Sequence, residues 1–254
     1  MKALEFHQFS YASDNYAVLI HEPVSGETAC VDAGDAAAVM AALKTTGWQL
    51  SQLFITHHHA DHVAGLAAVK KATSCKVFGP MSKAIVGIDV AVADGDLIDF
   101  AGHSVRVIQT PGHTLDMINY YFTDDRTVFT GDTLFSMGCG RLFEGDAKMM
   151  WQSLGKLMAL PADSQMYCAH EYTETNAGFA LTVDPNNEAL LARTRHVKAL
   201  RAAGKPTVPV MLSEELVTNP FLRAGDAGIR RQLAMPDASD VEVFAELRER
   251  RNRY

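Results

Sequence analysis

The chain has 254 residues, 48% hydrophobic and 21% charged, globular values that exclude a disordered chain, a collagen-like one and a disulfide-stapled mini-fold. Its formal charge of −7 at pH 7 speaks against a nucleic-acid partner, because phosphate contacts need a basic face. The average hides an asymmetry: residues 1–189 hold 22 acidic against 11 basic side chains, whereas residues 190–254 hold 12 basic against 8 acidic.

No stretch approaches the ~20 apolar residues that span a bilayer, and the start, MKALEFHQFS, lacks the basic-then-apolar layout of a secretion signal. Cys30, Cys75, Cys139 and Cys168 lie far apart with no C-x-x-C pair, which argues for reduced structural thiols rather than a disulfide framework or a thiolate zinc knot. A cytoplasmic monomer with no membrane partner is expected.

In chain order, LEFHQF, YAVLIHEP and TACVDAG read as short antiparallel strands, with a turn at Ser25-Gly26 between the second and third. AAAVMAALKTTG reads as a helix ending near Gly47, QLFITH as a buried strand, HVAGLAAVKKAT as a helix and KVFGP as a strand, a β-α-β-α alternation. SVRVIQT, INYYFT and TVFTGD follow as strands, then a helix KMMWQSLGKLMAL and a strand QMYCAH. From about Thr173 the chain turns helical and basic: GFALTVD stops at Pro185, and EALLARTRHVKALRAAG runs to Gly204. TVPVML and NPFLR read as extended connections, and VEVFAELRERRNRY as a short closing helix. Two β layers with helices outside account for this order. The expected domains are residues 1–172 and 173–254.

The most informative string is THHHADHVAG, residues 56–65, where a buried strand meets a helix, a junction at which α/β proteins gather their sites. In an extended segment His57 and His59 share a face, while Asp61 and His62 enter the next helix pointing elsewhere. Imidazole nitrogens with a carboxylate suit Zn2+ or a similar ion, and two ligand faces on one loop suit a pair of ions. His58 should point to the opposite side and is left out of the ligand set. His113 in TPGHT, Asp132 in FTGDT and His170 in CAHEY each close a predicted strand beside glycine or a turn. Alone, Asp132 could cap a turn, and the two histidines could be hydrogen-bonded core residues. Together, five His and two Asp fill two sites of three terminal ligands each, with one bridging carboxylate and room for a hydroxide.

THHHADH followed by TPGHT, TGDTLF, CGRLFEG and AHEYT resembles the metallo-β-lactamase superfamily, and within it glyoxalase II, over nearly the whole chain. The resemblance implies an α/β fold, an αββα metallo-β-lactamase sandwich with a C-terminal helical domain that contributes to the substrate site. It assigns His57, His59 and His113 to one metal, Asp61, His62 and His170 to the other, and Asp132 to both. Its implied cofactors are two divalent ions, Zn2+ first, with Fe or Mn accepted by the same donors. The implied reaction is hydrolysis of S-(2-hydroxyacyl)glutathione thioesters, such as S-D-lactoylglutathione, by a bridging hydroxide, in methylglyoxal detoxification. His57, His59, Asp61, His62 and Asp132 would carry the catalysis. Arg141, Phe143, Tyr172, Arg248 and Arg251 resemble the family's substrate-binding residues, although Phe143 lacks the hydroxyl many relatives have there. Leu115-Asp116-Met117 departs from the family, whose members commonly read x-Gly-His after GHT; that histidine is not a metal ligand, so the change bears on local packing. A single-iron glutathione persulfide dioxygenase, a metal-dependent nuclease and a non-catalytic metal-binding module are the alternatives. The helical tail argues against the first, the net charge against the second, and a cysteine-free ligand set against the third.

Overall fold

A computed structural model describes residues 3–254. The chain forms two compact units, one built from Met1–Gln109 and Asp116–Gly131, the other from Thr110–Leu115 and Asp132–Tyr254.

The first unit opens with strands β1 (Glu5–Tyr11), β2 (Asn15–His21) and β3 (Glu27–Val31), followed by helix α1 (Ala36–Thr46), strand β4 (Gln49–Phe54), helices α2 (Ala60–Val63) and α3 (Leu66–Thr73), and strands β5 (Lys76–Pro80) and β6 (Val90–Val92). β1–β3 form the expected antiparallel meander and β3–β6 continue it in parallel. Asp35 caps α1 by accepting from the Ala38 N–H, and Gly47 closes it at φ 75°, a left-handed conformation open to glycine at little cost. A second sheet holds β7 (Leu97–Phe100), β8 (His103–Gln109), β9 (Ile118–Phe122) and β10 (Thr127–Gly131), each pairing antiparallel with the next.

Aromatic rings fill the space between these sheets. Phe54 of β4 meets Phe100, Tyr120 and Phe122 at ring-centroid distances of 5.1 to 6.3 Å. Each fully buried ring contributes about 1.5–3 kcal/mol. The Tyr120 hydroxyl donates to the Ile55 carbonyl at 2.7 Å, which fixes the backbone where β4 runs out. A separate cluster, including Val39, Leu43, Leu53, Leu66 and Val69, joins α1 and α3 to the sheet.

The single helix expected over residues 62–73 is two. The Gly65 N–H donates to the Ala33 carbonyl at 2.8 Å, and a Cβ at Gly65 would lie 2.4 Å from the Ala36 nitrogen. Close approach to the loop after β3 breaks the helix there.

The second unit holds the hairpin β11 (Leu134–Phe135) and β12 (Gly138–Cys139), helix α4 (Ala147–Met158), strand β13 (Gln165–Cys168), helices α5 (Thr173–Val183) and α6 (Glu188–Ala202), strand β14 (Val210–Met211), helix α7 (Leu212–Thr218), a 3-10 turn Pro220–Leu222, and helices α8 (Ala227–Gln232) and α9 (Asp240–Arg253). NPFLR, expected to be extended, instead holds the 3-10 turn, and Leu212, the last residue of TVPVML, opens α7. Asn219 explains the turn: its Oδ1 accepts the Phe221 N–H at 3.0 Å while its Nδ2 donates to the Phe135 and Gly138 carbonyls. α9 is four turns long and starts with a full capping box of Ser239 and Glu242.

Candidate metal centre

In the first unit the loop leaving β4 carries His57 and His59, and helix α2 directly after it carries Asp61 and His62. His57 and His62 are wholly buried, and Asp61 is exposed. Asp32, at the end of neighbouring β3, sets this loop. Its carboxylate accepts the Thr56 N–H at 2.8 Å, the Thr56 hydroxyl at 2.9 Å and the His62 Nδ1–H at 2.7 Å. That bond commits His62 to the tautomer with its lone pair on Nε2, the arrangement a metal-ligating histidine needs. The His57 Nδ1 is likewise occupied by the Thr56 hydroxyl at 3.0 Å. Asp61 is held by the Asn15 amide, which donates to Oδ2 at 3.0 Å, and by the Tyr11 hydroxyl, which donates to its backbone carbonyl at 2.7 Å. A Cβ at Gly34 would lie 1.8 Å from that carbonyl oxygen, so only glycine fits beneath the loop.

His58 turns away from this group, as expected, and its Nδ1 sits 2.9 Å from both oxygens of Asp116. Asp116 in the departing tripeptide therefore has a partner in this chain. Met117 is fully buried, and its Cε would lie 2.5 Å from a Cβ built on Gly131, so a thioether packs against the end of β10.

In the second unit Asp132 is the hub. Its Oδ2 is 3.3 Å from His113 Nε2 and its Oδ1 is 3.3 Å from His170 Nε2. The His113 Nδ1 donates to the Arg141 carbonyl at 2.9 Å, which again puts the ring lone pair on Nε2, the arrangement a metal-ligating histidine needs. The His170 ring stacks on Tyr172 at 4.7 Å with an interplanar angle of 5°, and Phe135 meets it edge-on. Gly140 is required here too, since a Cβ would lie 2.0 Å from the Asp132 carbonyl oxygen.

The donor spacings are close to those of a coordination shell. His57 Nε2 and His59 Nδ1 are 3.1 Å apart, His62 Nε2 and Asp61 Oδ2 3.5 Å, and the Asp132 pairs 3.3 Å. Ligands bound at 2.0–2.2 Å around a tetrahedral ion stand about 3.3–3.6 Å from one another. The donor set therefore fits divalent ions, without a single thiolate.

The remaining candidates all lie in the second unit. Arg141 and Phe143 are exposed; the Phe143 ring meets His113 edge-on at 5.2 Å. Arg248 is 4% exposed, donates to the Cys139 carbonyl at 2.7 Å and lies over the Phe221 ring. Arg251 is half-buried and donates from Nε and Nη2 to the Asn176 Oδ1 at 3.3 and 3.2 Å. Burial first, then the neighbouring charges of Arg248 and Arg141, hold the Arg251 guanidinium below its ordinary pKa. All four cysteines are buried and unbridged. Burial pushes the Cys168 thiol up to about 12 and raises Cys139 despite the opposing pull of Arg248, so neither supplies a thiolate nucleophile at neutral pH.

Asp32, Thr56, Asn15 and Tyr11 hold the candidate ligands without having stood out in the sequence. Asp32 reads there as the tail of an ordinary strand. The available signal was a carboxylate closing one strand beside the strand that ends in the histidine loop.

Residues 12–170 match the metallo-beta-lactamase superfamily, and residues 171–254 match the hydroxyacylglutathione hydrolase C-terminus. A hydroxyacylglutathione hydrolase from Brucella anthropi is 53% identical over 99% of this chain and 97% of its own length. One from Bradyrhizobium sp. is 51% identical over 99% of both. Among solved structures, ETHE1 from Myxococcus xanthus superposes with a TM-score of 0.70 at 25% identity, covering 96% of this chain and 90% of its own. The αββα fold is thus that of the superfamily, and its histidines and aspartates are of the kind that hold divalent metal ions. With such identity running from end to end and a matching C-terminal region, the chain belongs to the hydroxyacylglutathione hydrolase family of the metallo-beta-lactamase superfamily.

Proposed function

We propose that this protein hydrolyses S-(2-hydroxyacyl)glutathione thioesters, S-D-lactoylglutathione among them, to glutathione and a 2-hydroxy acid, as a cytoplasmic step in methylglyoxal detoxification. The observation that carries the reading is Asp132, which turns one oxygen to His113 and the other to His170, each at 3.3 Å, the posture of a carboxylate shared by two ions. His57, His59 and His113 would hold one ion, Asp61, His62 and His170 the other, and Asp132 both, with Zn2+ the ion proposed. Two divalent ions so held supply Lewis acidity toward a carbonyl oxygen and lower the pKa of water at neutral pH.

The chain's own residues do the rest. Asp32 and the Arg141 carbonyl fix which nitrogens of His62 and His113 stay open. Residues 1–172 would carry the ion ligands and residues 173–254 much of the substrate rim. Arg141, Arg248 and Arg251 together would offer positive charge to the carboxylates of the glutathione moiety, while Phe143 and Tyr172 place aromatic rings against His113 and His170. The leaving group is a thiolate, whose pKa of roughly 8.5–9 asks for no proton donor at neutral pH. Each chain carries every group invoked, so a monomer suffices.

Incubation with S-D-lactoylglutathione should release free thiol and D-lactate in equal amounts, and metal analysis should return about two ions per chain. Oxygen consumption with glutathione persulfide in place of thioester hydrolysis would point instead to single-iron dioxygenase chemistry.

A further inference from the structure

The neutral side chain of Asn176 occupies an unusual place in the second unit. It is 4% exposed and sits in the first turn of α5, one turn beyond Tyr172, whose carbonyl accepts its N–H at 2.9 Å. Its Nδ2 donates to the Ser136 carbonyl in the β11–β12 turn at 3.0 Å. Its Oδ1 receives both the Nε and the Nη2 of Arg251. Gly138 makes room for it, since a Cβ there would lie 2.4 Å from the carboxamide nitrogen. The guanidiniums of Arg141 and Arg248 bear on Arg251 as well. Three like charges are thus gathered, and the side chain that grips Arg251 is an amide rather than a carboxylate.

We infer that Asn176 is a positioning residue that sets specificity for an anionic thiol carrier, orienting Arg251 through a neutral acceptor so that the arginine cluster keeps its charge for a carboxylate of the ligand. The inference rests on the proposed hydrolysis of glutathione thioesters and goes beyond it by naming what keeps the rim cationic. An aspartate at this position would make the same hydrogen bonds to Arg251 with nearly the same shape. It would also place a charge-assisted pair where the ligand's carboxylate is to bind, and it would confront the Ser136 carbonyl with a second acceptor.

Asn176→Asp and Asn176→Ser test this in the metal-loaded enzyme. Binding of S-methylglutathione, a thioether that is not hydrolysed but keeps both carboxylates, is read by calorimetry. Turnover is read with S-D-lactoylglutathione and with the lactoyl thioester of N-acetylcysteamine, which has no carboxylate. N176D should weaken S-methylglutathione binding and raise KM for the glutathione thioester by about tenfold or more, with kcat within about twofold. Its kcat/KM for the uncharged thioester should be unchanged, a split that general misfolding would not give. N176S, neutral and still able to accept from Arg251, should lose no more than about threefold. In the Arg251→Gln background N176D should add no further penalty. Equal losses on both thioesters, or unaltered S-methylglutathione binding in N176D, would overturn the inference. A wild type that binds S-methylglutathione but hydrolyses neither thioester would overturn the proposed function, and the binding comparison would still decide the role of Asn176.

Discussion

Asp32 shows how much of a metal site is decided by a residue that is not a ligand. It is 2% exposed, stands at φ 61°, and satisfies the Thr56 N–H, the Thr56 hydroxyl and the His62 imidazole at once. Asp32→Ala leaves three buried donors unpaired, a cost of about 1–3 kcal/mol for each donor that finds no water. It also frees His62 to turn over, and loss of such a supporting partner lowers metal affinity by about 10–100-fold. Thermal unfolding together with chelator competition should register both effects. Asp132→Asn differs in kind, because it keeps shape but removes the carboxylate charge shared by His113 and His170. Thioester hydrolysis should fall by about 100-fold or more while the circular dichroism spectrum stays that of the wild type. Unchanged turnover would show that Asp132 is structural. At position 143, Phe143→Tyr restores a hydroxyl on an exposed ring beside His113. One added hydrogen bond to the glutathione moiety should lower KM by about two- to tenfold at constant kcat, measured by steady-state kinetics.

At the scale of elements, legibility followed the range of the interactions that decide each one. α1 was readable because its cap at Asp35 and its stop at Gly47 are local. KVFGP was readable to the residue as β5, since everything after the exposed Lys76 is one short buried apolar run, as in a parallel strand covered on both faces. The break between α2 and α3 was not, because Gly65 answers to the loop at residues 33–36, thirty positions away. The histidine loop itself stood out as a candidate site because its chemistry is concentrated in six residues. Its supports did not, since Asn15, Tyr11 and Asp32 reach it across strand pairings that only the folded sheet creates. α7 was hidden for a similar reason. Its Glu215 is fully buried, pairs with Arg193 of α6, and accepts the Met137 N–H of the β11–β12 turn at 2.8 Å. A charged helix at the surface would look the same in sequence. Glu215→Ala would strand the Arg193 charge in the interior and cost about 3–5 kcal/mol, so a urea titration should show a large fall in midpoint. Replacing both partners together by Met and Leu should recover much of that loss.

Across the whole molecule the charges oppose one another by distance. The polypeptide's net charge is −7 and two divalent ions would leave it negative, so an anionic thioester arriving from solution is repelled overall, while under the proposed function Arg141, Arg248 and Arg251 would attract its carboxylates at close quarters. Salt screens the two unequally, because the Debye length is ~30 Å at 0.01 M and ~3 Å at 1 M. Long-range repulsion should vanish first and contact attraction last. The expected outcome is a kcat/KM for S-D-lactoylglutathione that rises between about 5 and 50 mM ionic strength and falls again above roughly 0.3 M. Arg251→Gln should keep the rising limb, which belongs to the net charge, and flatten the falling one, which belongs to the cluster. Stopped-flow or steady-state rates over a salt series with an inert electrolyte would read both limbs. A steady decline from the lowest salt would mean that the local arginines dominate at every distance, and a profile unchanged by R251Q would remove that residue from the substrate's path.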